Sequence, residues 1–210
     1  LIHGTGAATH SWRGLMPLLA RQHHVVAMDL PGHGFTGMPT TWPLSLPRIA
    51  QAVAALLGTL GLRADLLVGH SAGAAIAARM VLDGHAQPRR VVSLNGALLP
   101  LGGLAWPLFS PMARLLASNP LIPRLFAWRA SDPRIVRRLL GSTGSTIDRE
   151  GTALYARIVA SPAHAAGALA MMANWSLDEL CRDLPRLNTG LHLVVGANDR
   201  TVPPAQADAV

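Results

Sequence analysis

The chain lacks lysine altogether, so its basic residues are arginines, 18 of them against 11 acidic residues, with a formal charge of +7. An excess of basic charge is typical of proteins that bind nucleic acids. Here the arginines are scattered, and the sequence has neither zinc-finger spacing nor a basic stretch interleaved with aromatic residues. We therefore expect no nucleic-acid partner.

Cysteine is nearly absent as well. The single Cys181 excludes an internal disulfide bond and gives no sign of an oxidising compartment, so we expect a cytoplasmic protein. No histidines or cysteines have metal-site spacing, and Gly4 and Gly6 lack the G-x-G-x-x-G continuation of a dinucleotide site. We expect neither a metal nor a cofactor.

Charged residues make up only 14% of the chain, while half of it is apolar, a composition that excludes a disordered protein. The segment Val91–Ala113 has no charge and is long enough to cross a bilayer. Its prolines and glycines would interrupt a continuous helix, so we expect a buried strand there and no transmembrane segment.

Short apolar runs alternate with helical patterns, which predicts an α/β fold with a parallel sheet. A predicted helix has Ser11 as its cap, and a second has Ser45 as its cap, Pro47 in its first turn and Gly61 as its stop. The predicted strands are Leu1–Ile2, Val25–Met28, Leu66–Val68, Val91–Leu94 and Leu191–Gly196.

Between the last two strands the pattern is helical. Four times a capping side chain precedes a proline, at Ser110, Asn119, Asp132 and Ser161, which predicts a series of short helices. We expect an inserted helical cap at 98–187, flanked by the core segments 1–97 and 188–210. The sequence opens inside a strand pattern without methionine, and we expect it to be truncated at both ends.

The sequence Gly69-His70-Ser71-Ala72-Gly73 stands between a strand and a helix and matches the G-x-S-x-G nucleophile elbow. A serine on so tight a turn is held in a strained backbone conformation, and glycines two residues away on each side avoid clashes. This motif predicts Ser71 as a catalytic nucleophile.

A serine nucleophile needs donors for the oxyanion, an acid and a base. Backbone N–H groups of Ala72 and of the loop at Gly4 and Gly6 are the candidate donors, with Thr5 first and Gly6 as the alternative. The candidate acid is Asp199, just after a strand. Asp29 is the second candidate, although it precedes the serine and belongs to a turn.

None of the nine histidines follows Asp199, although the chain order for this type of site is serine, acid, histidine. We expect His70 to point away from Ser71, and His3 and His33 to brace loops. Our hypothesis is a catalytic histidine beyond Val210.

These motifs, in this order, resemble those of the α/β-hydrolases, and the resemblance implies a mostly parallel sheet flanked by helices. A narrower resemblance, to the magnesium-chelatase accessory proteins of bacteriochlorophyll biosynthesis in phototrophic bacteria, covers nearly the whole chain. It rests on the elbow with Ala74-Ala75 and on residues 4–12, 93–100, 141–146 and 170–175.

Two functions follow from the resemblance. One is a serine hydrolase that acts on an ester-like bond of a small molecule. The other is a non-catalytic accessory protein of photosynthesis that binds a tetrapyrrole or docks on magnesium chelatase. The cap residues that would suit an apolar macrocycle are Leu104, Trp106, Leu108, Phe109, Leu121, Phe126 and Trp128. Those that could meet its carboxylates are Arg114, Arg124, Arg129, Arg134, Arg137 and Arg138.

Overall fold

A computed structural model describes residues 1–100, 112–116, 119, 121–130 and 132–210, without the side chain of Pro133. The strands are β1 (Leu66–His70), β2 (Arg90–Leu94) and β3 (Gly190–Val194). The helices are α1 (Met16–Leu19), α2 (Leu46–Thr59), α3 (Ala72–Leu82), α4 (112–116), α5 (Leu121–Ala130), α6 (Pro133–Ser142), α7 (Arg149–Val159), α8 (Pro162–Ala173), α9 (Asp178–Asp183) and α10 (Ala205–Ala209). Short 3₁₀ helices cover Thr9–Trp12 and Leu184–Arg186.

The sheet is parallel, as predicted. β2 lies between β1 and β3, with Val68 opposite Val92 and Val92 opposite His192. On the other side of β1, single parallel bridges join Ile2 to Gly69 and Ile2 to Met28. The first two predicted strands therefore pair with the sheet over one residue each. All five segments run in one direction, so the loops after them meet at one edge.

The core lies between the sheet and the helices that cover it. α3 is rich in alanine and nearly all of it is buried, since it packs between β1, α2 and α9. Its one charged interior residue, Arg79, is 6% exposed and forms ion pairs with Asp83 (2.7 Å) and Asp183 (2.8 Å). A buried charge is tolerated when it is paired in this way, and the second pair links α3 to the last residue of α9.

The prediction for Ser11 is wrong. Ser11 lies inside the 3₁₀ helix, and its hydroxyl is 3.1 Å from the hydroxyl of Tyr155. A continuous helix through this region is excluded because Pro17, in the first turn of α1, has no N–H to donate to the preceding turn. Ser45 does precede α2, but its side chain makes no capping hydrogen bond.

Other helix boundaries follow the sequence signals. Gly61 adopts a left-handed φ of +63° after α2, and the next N–H, of Leu62, donates to the oxygen of Leu57 (2.9 Å). Asp132 caps α6 and Ser161 caps α8 through hydrogen bonds to backbone N–H groups. Asn119 accepts from the N–H of Leu121 (2.9 Å), whereas the Ser110-Pro111 signal lies outside the described residues.

Among the helices that the structure describes, none is long and apolar enough for a membrane span. In the segment Val91–Ala113, the first residues form β2, and residues 101–111 lie outside the described ranges.

Candidate active site

Ser71 lies at the junction of β1 and α3 with φ +53° and ψ −119°. A positive φ in a residue with a side chain is a strained conformation that the surroundings must enforce. The two flanking glycines show how tight the turn is. A Cβ on Gly69 would lie 2.3 Å from the carbonyl carbon of Gly73, and one on Gly73 would lie 2.1 Å from the oxygen of Ile2. Only glycine fits at either position.

The glycine loop after Ile2 lies directly against this turn. A Cβ on Gly4 would be 3.0 Å from Cβ of Ser71. The carbonyl of Gly4 accepts hydrogen bonds from Nδ1 of His3 (2.8 Å) and from the N–H of Ala7 (3.2 Å). The N–H groups of Thr5 and Ala72 have no hydrogen-bond partner among the described residues, and both residues line the same cavity as Ser71.

Asp199 follows β3 and is held by three donors. Its Oδ1 accepts from the N–H groups of Thr201 (2.7 Å) and Val202 (2.9 Å), and its Oδ2 accepts from the side-chain amide of Asn95. Asn95 follows β2 with φ +43°, and its side-chain oxygen accepts from the N–H of Gly196 (2.7 Å). The loops after β2 and β3 are thus tied together beside Ser71.

Asp29, the second candidate acid, joins its own turn to the start of the 3₁₀ helix Thr9–Trp12. It accepts from the N–H groups of Thr9 (2.7 Å) and Phe35 (3.0 Å). Burial raises the pKa of this carboxyl, but these hydrogen bonds outweigh that effect and hold the pKa below its ordinary value. A Cβ on Gly34 would overlap Oδ2 of Asp29 at 2.2 Å, so the carboxylate and the Gly34 turn fit closely together.

Three histidines form a buried row behind the glycine loop. The ring of His33 is 5.4 Å from that of His3 and 5.4 Å from that of His164, between centroids. Burial lowers the pKa values of His3 and His33 to about 4 and also lowers that of His164. These rings are neutral at ordinary pH. His3 joins the glycine loop to Leu30 through its two ring nitrogens, as we predicted, whereas the described hydrogen bond of His33, from Nδ1 to the oxygen of Pro31 (3.1 Å), stays within its own turn.

His70 differs from these three because it lines the cavity next to Ser71. Burial lowers its pKa, and the carboxylate of Asp199 acts in the opposite direction. No hydrogen bond joins His70 to Ser71 among the described contacts. Whether the ring points away from the hydroxyl, as the sequence predicts, stays a prediction.

The cavity at this edge of the sheet has a volume of about 920 Å³, within the upper range for small-molecule sites. Its floor carries Ser71, Asn95 and Asp199, and side chains from α4 to α8 supply much of its wall. Most of that wall is apolar, including Phe126, Val136, Leu139, Leu140, Val159, Leu169 and Met172. The arrangement suits an apolar molecule that presents one reactive polar group to the floor.

Of the cap aromatics and leucines proposed above, Leu104, Trp106, Leu108 and Phe109 lie outside the described residues. Leu121, Phe126 and Trp128 are exposed, and only Phe126 of these three lines the cavity. Of the six arginines proposed above, Arg114 lines the cavity and the other five do not. Nε of Arg114 donates to the oxygen of Ala173 (2.8 Å).

Two residues of the site, Asn95 and His164, were not predicted from the sequence. Asn95 carried a signal, since asparagine tolerates the left-handed conformation that a sharp turn after a strand requires. Within the described ranges, no group of three or more histidine, cysteine or acidic side chains could hold a metal ion. Cys181 is half-buried, with Sγ 3.8 Å from the oxygen of Leu98.

A parallel sheet with a strained serine between strand and helix defines an α/β-hydrolase fold. The chain belongs to the alpha/beta hydrolase family, whose model matches residues 1–210. It is 38% identical over its whole length to a magnesium-chelatase 30 kDa subunit of Rhodobacter capsulatus, of which it covers 73%. It is 26% identical over 198 residues, 92% of the chain, to a pimeloyl-[acyl-carrier protein] methyl ester esterase of Aeromonas hydrophila, of which it covers 66%.

Solved structures agree with this assignment. A crystal structure of an alpha/beta hydrolase fold protein from Burkholderia ambifaria superposes with a TM-score of 0.77 and 25% identity, covering 99% of this chain and 76% of that one. An esterase from Exiguobacterium antarcticum superposes over 99% of this chain and 76% of its own with a TM-score of 0.75 and 15% identity. At 15% identity, the similarity to the esterase shows a shared fold alone.

Proposed function

We propose that this protein is a serine hydrolase that cleaves an ester-like bond in an apolar small molecule. The observation that carries the proposal is the conformation of Ser71, whose strained φ of +53° lifts the residue to the floor of a large apolar cavity. A structural turn has no need to store strain at a serine that faces a cavity.

In the proposed reaction, Oγ of Ser71 attacks the carbonyl carbon of the ester while a base takes its proton. The N–H groups of Thr5 and Ala72 stabilise the oxyanion, and each such donor is worth about 3–4 kcal/mol in related sites. The alcohol leaves with the proton, and water then hydrolyses the acyl-enzyme by the same steps.

For the base we propose a histidine that follows Val210 in the protein, oriented by Asp199. The histidines near Ser71 are less suitable as the general base. Both ring nitrogens of His3 and of His164 are engaged in hydrogen bonds. His70 adjoins Ser71 and lines the cavity, but no hydrogen bond joins its ring to Ser71 among the described residues.

The helical segment 98–187 is proposed as a cap that decides which molecules reach Ser71. Side chains from α5, α6 and α7 line the cavity, so changes at these side chains would alter specificity and leave the reacting groups in place. The core segments 1–97 and 188–210 would then carry the chemistry.

A second candidate function is a non-catalytic accessory to magnesium chelatase. It is favoured by the R. capsulatus relative, which bears the name of a chelatase subunit, and by the size and apolar wall of the cavity. Such a protein would bind a tetrapyrrole substrate of the chelatase, or the chelatase itself, and Ser71 would be dispensable.

Ester hydrolysis by the full-length protein tests the first proposal. A series of p-nitrophenyl esters of increasing acyl length should be hydrolysed by the wild type, and Ser71→Ala should lose the activity. Ser145→Ala is the matched control, since Ser145 is another hydroxyl that lines the cavity. Equal rates in wild type and Ser71→Ala would exclude the proposal. Absorbance titration with protoporphyrin, unchanged in Ser71→Ala, would support the accessory role.

A further inference from the structure

One face of α8 touches the loops at the floor of the cavity. His164, Gly167 and Met171 are three, four and seven residues apart and so lie on one side of the helix. A Cβ on Gly167 would lie 1.8 Å from the oxygen of Gly32, so the two backbones are in direct contact. The hydroxyl of Thr5 lies 3.5 Å from Sδ of Met171. The helix therefore has little freedom to move relative to these loops.

His164 is the polar contact on this face. It is 2% exposed, and both of its ring nitrogens are used. Nδ1 accepts from the N–H of Gly34 (3.0 Å), and Nε2 lies 3.1 Å from the carbonyl oxygen of Gly6. Because Nδ1 must accept, the proton sits on Nε2, which donates to Gly6. One ring thus joins α8 to two separate core loops.

The contact with Gly6 acts on the loop that carries Thr5. Gly6 has a left-handed φ of +71°, and a glycine in that position can rotate its peptide at little steric cost. The loop's carbonyls are fixed at two points, that of Gly4 by His3 and that of Gly6 by His164. In a planar trans peptide the C=O of one residue points opposite to the N–H of the next. The Gly4 carbonyl therefore sets the direction of the Thr5 N–H. The Gly6 carbonyl, held by His164, sets the direction of the Ala7 N–H, which in turn donates to the Gly4 carbonyl (3.2 Å).

We propose that His164 is a positioning residue that holds the Gly4–Ala7 loop so that the N–H of Thr5 faces the oxyanion formed at Ser71. The inference rests on the proposed serine hydrolase function and deepens it. His164 takes no part in proton transfer, since neither nitrogen is free to exchange a proton with Ser71. Its effect on the loop depends on two hydrogen bonds, one accepted from the N–H of Gly34 and one donated to the oxygen of Gly6.

The rate of fluorophosphonate labelling at Ser71 in the full-length protein tests this role, because the phosphoryl oxygen develops charge in the oxyanion hole. His164→Leu, which loses both bonds, should label at least about tenfold more slowly, given that a misplaced reacting group can cost on the order of 100-fold. His164→Gln, with one acceptor and one donor, should recover much of the rate. His85→Leu, at an exposed histidine after α3, should label like the wild type.

The ester assay gives a second readout, in which His164→Leu should lower kcat and leave KM within about threefold. Labelling of His164→Leu within twofold of the wild type would overturn the proposal. Should His164→Leu not fold, His164→Asn, whose shorter amide reaches only one partner, takes its place with the same expectation.

Hydrogen exchange separates this proposal from the proposed function. If the wild type is not labelled at all, the hydrolase proposal fails, and amide exchange still tests His164. Exchange at the bonded N–H groups of Ala7 and Gly34 should then be at least about tenfold faster in His164→Leu than in the wild type, with α2 unchanged. Exchange at these two amides that is equal in the variant and the wild type would contradict the role of His164.

Discussion

The side-chain amide of Asn95 donates to Oδ2 of Asp199, and its oxygen accepts from the N–H of Gly196. One residue after β2 thus orients the carboxylate after β3 and braces the loop that carries it. Asn95 holds this place at a φ of +43°, so its side chain and its backbone conformation are separate contributions.

Asn95→Gly and Asn95→Ala separate these two contributions. Both lose the hydrogen bond to Asp199, so both should reduce kcat for ester hydrolysis by about tenfold, in line with a charge-assisted bond of roughly 1.5–3 kcal/mol. Only alanine is strained at this φ, so Asn95→Ala should also be about 1 kcal/mol less stable than Asn95→Gly. Wild-type kcat in Asn95→Gly would mean that Asp199 needs no such support.

The elbow glycines provide a test of stability. Gly69→Ala should lower the free energy of unfolding by more than about 3 kcal/mol, because its Cβ would overlap backbone atoms of Gly73 that cannot move independently. Gly58→Ala in α2 is the control, since its Cβ would meet nothing within 4 Å. This control should gain about 0.5–1 kcal/mol. Urea unfolding measures both, and equal stabilities of the two variants would refute the tight-turn interpretation.

The buried histidines predict a loss of stability in acid. The folded pKa values of His3 and His33 are about 4, below the ordinary value of 6.5, because burial disfavours the charged ring. The unfolded chain takes up these protons as the pH falls below 6.5, while the folded chain does not. The free energy of unfolding should therefore be highest above pH 6.5 and fall by about 2–3 kcal/mol per pH unit near pH 5.

Urea unfolding from pH 7.5 to pH 5 measures this slope. His33→Leu is the matched variant, since Nε2 of His33 has no hydrogen-bond partner among the described residues. This variant lacks one of the two imidazoles that take up a proton on unfolding, so the change of the unfolding free energy with pH should be smaller by about 1.4 kcal/mol per pH unit. A stability that does not change with pH in this range would contradict the buried, neutral rings.

Arg114 predicts a preference among substrates. Its Nε is occupied by the oxygen of Ala173, and it lines a cavity whose wall is largely apolar. An ester with a carboxylate at its far end should lose about 10- to 100-fold in kcat/KM in Arg114→Gln, while a neutral ester of equal length should change little. Arg124→Gln, at an exposed arginine of α5 that does not line the cavity, is the control. Equal losses for both esters would assign Arg114 a structural role.

The sequence was sufficient for the parallel sheet and for the serine turn because both depend on local patterns. Gly69 and Gly73 are the residues that a strained turn requires, and β1 to β3 are apolar runs of ordinary length. The same signals located Asp199 after a strand, where the sheet topology brings it beside Ser71.

Contacts between distant segments could not be predicted in this way. Nothing in the local sequence of α8 shows that His164 reaches Gly6 and Gly34. The residues around Ser11 also give no sign that its hydroxyl lies against that of Tyr155. The Asn95–Asp199 bond likewise depends on β2 and β3 being neighbours although the whole helical segment separates them in the chain. Such pairs follow from tertiary packing, which local propensity does not encode.

The predictions on ester hydrolysis depend on Ser71 being an activated nucleophile. The most direct test of this activation is peptide mapping of the full-length protein after treatment with a fluorophosphonate, with Ser71→Ala and Ser145→Ala in parallel. We expect one adduct per chain on the peptide that contains Ser71, present in Ser145→Ala and absent in Ser71→Ala. No adduct in the folded wild type, or an adduct that persists in Ser71→Ala, would contradict it.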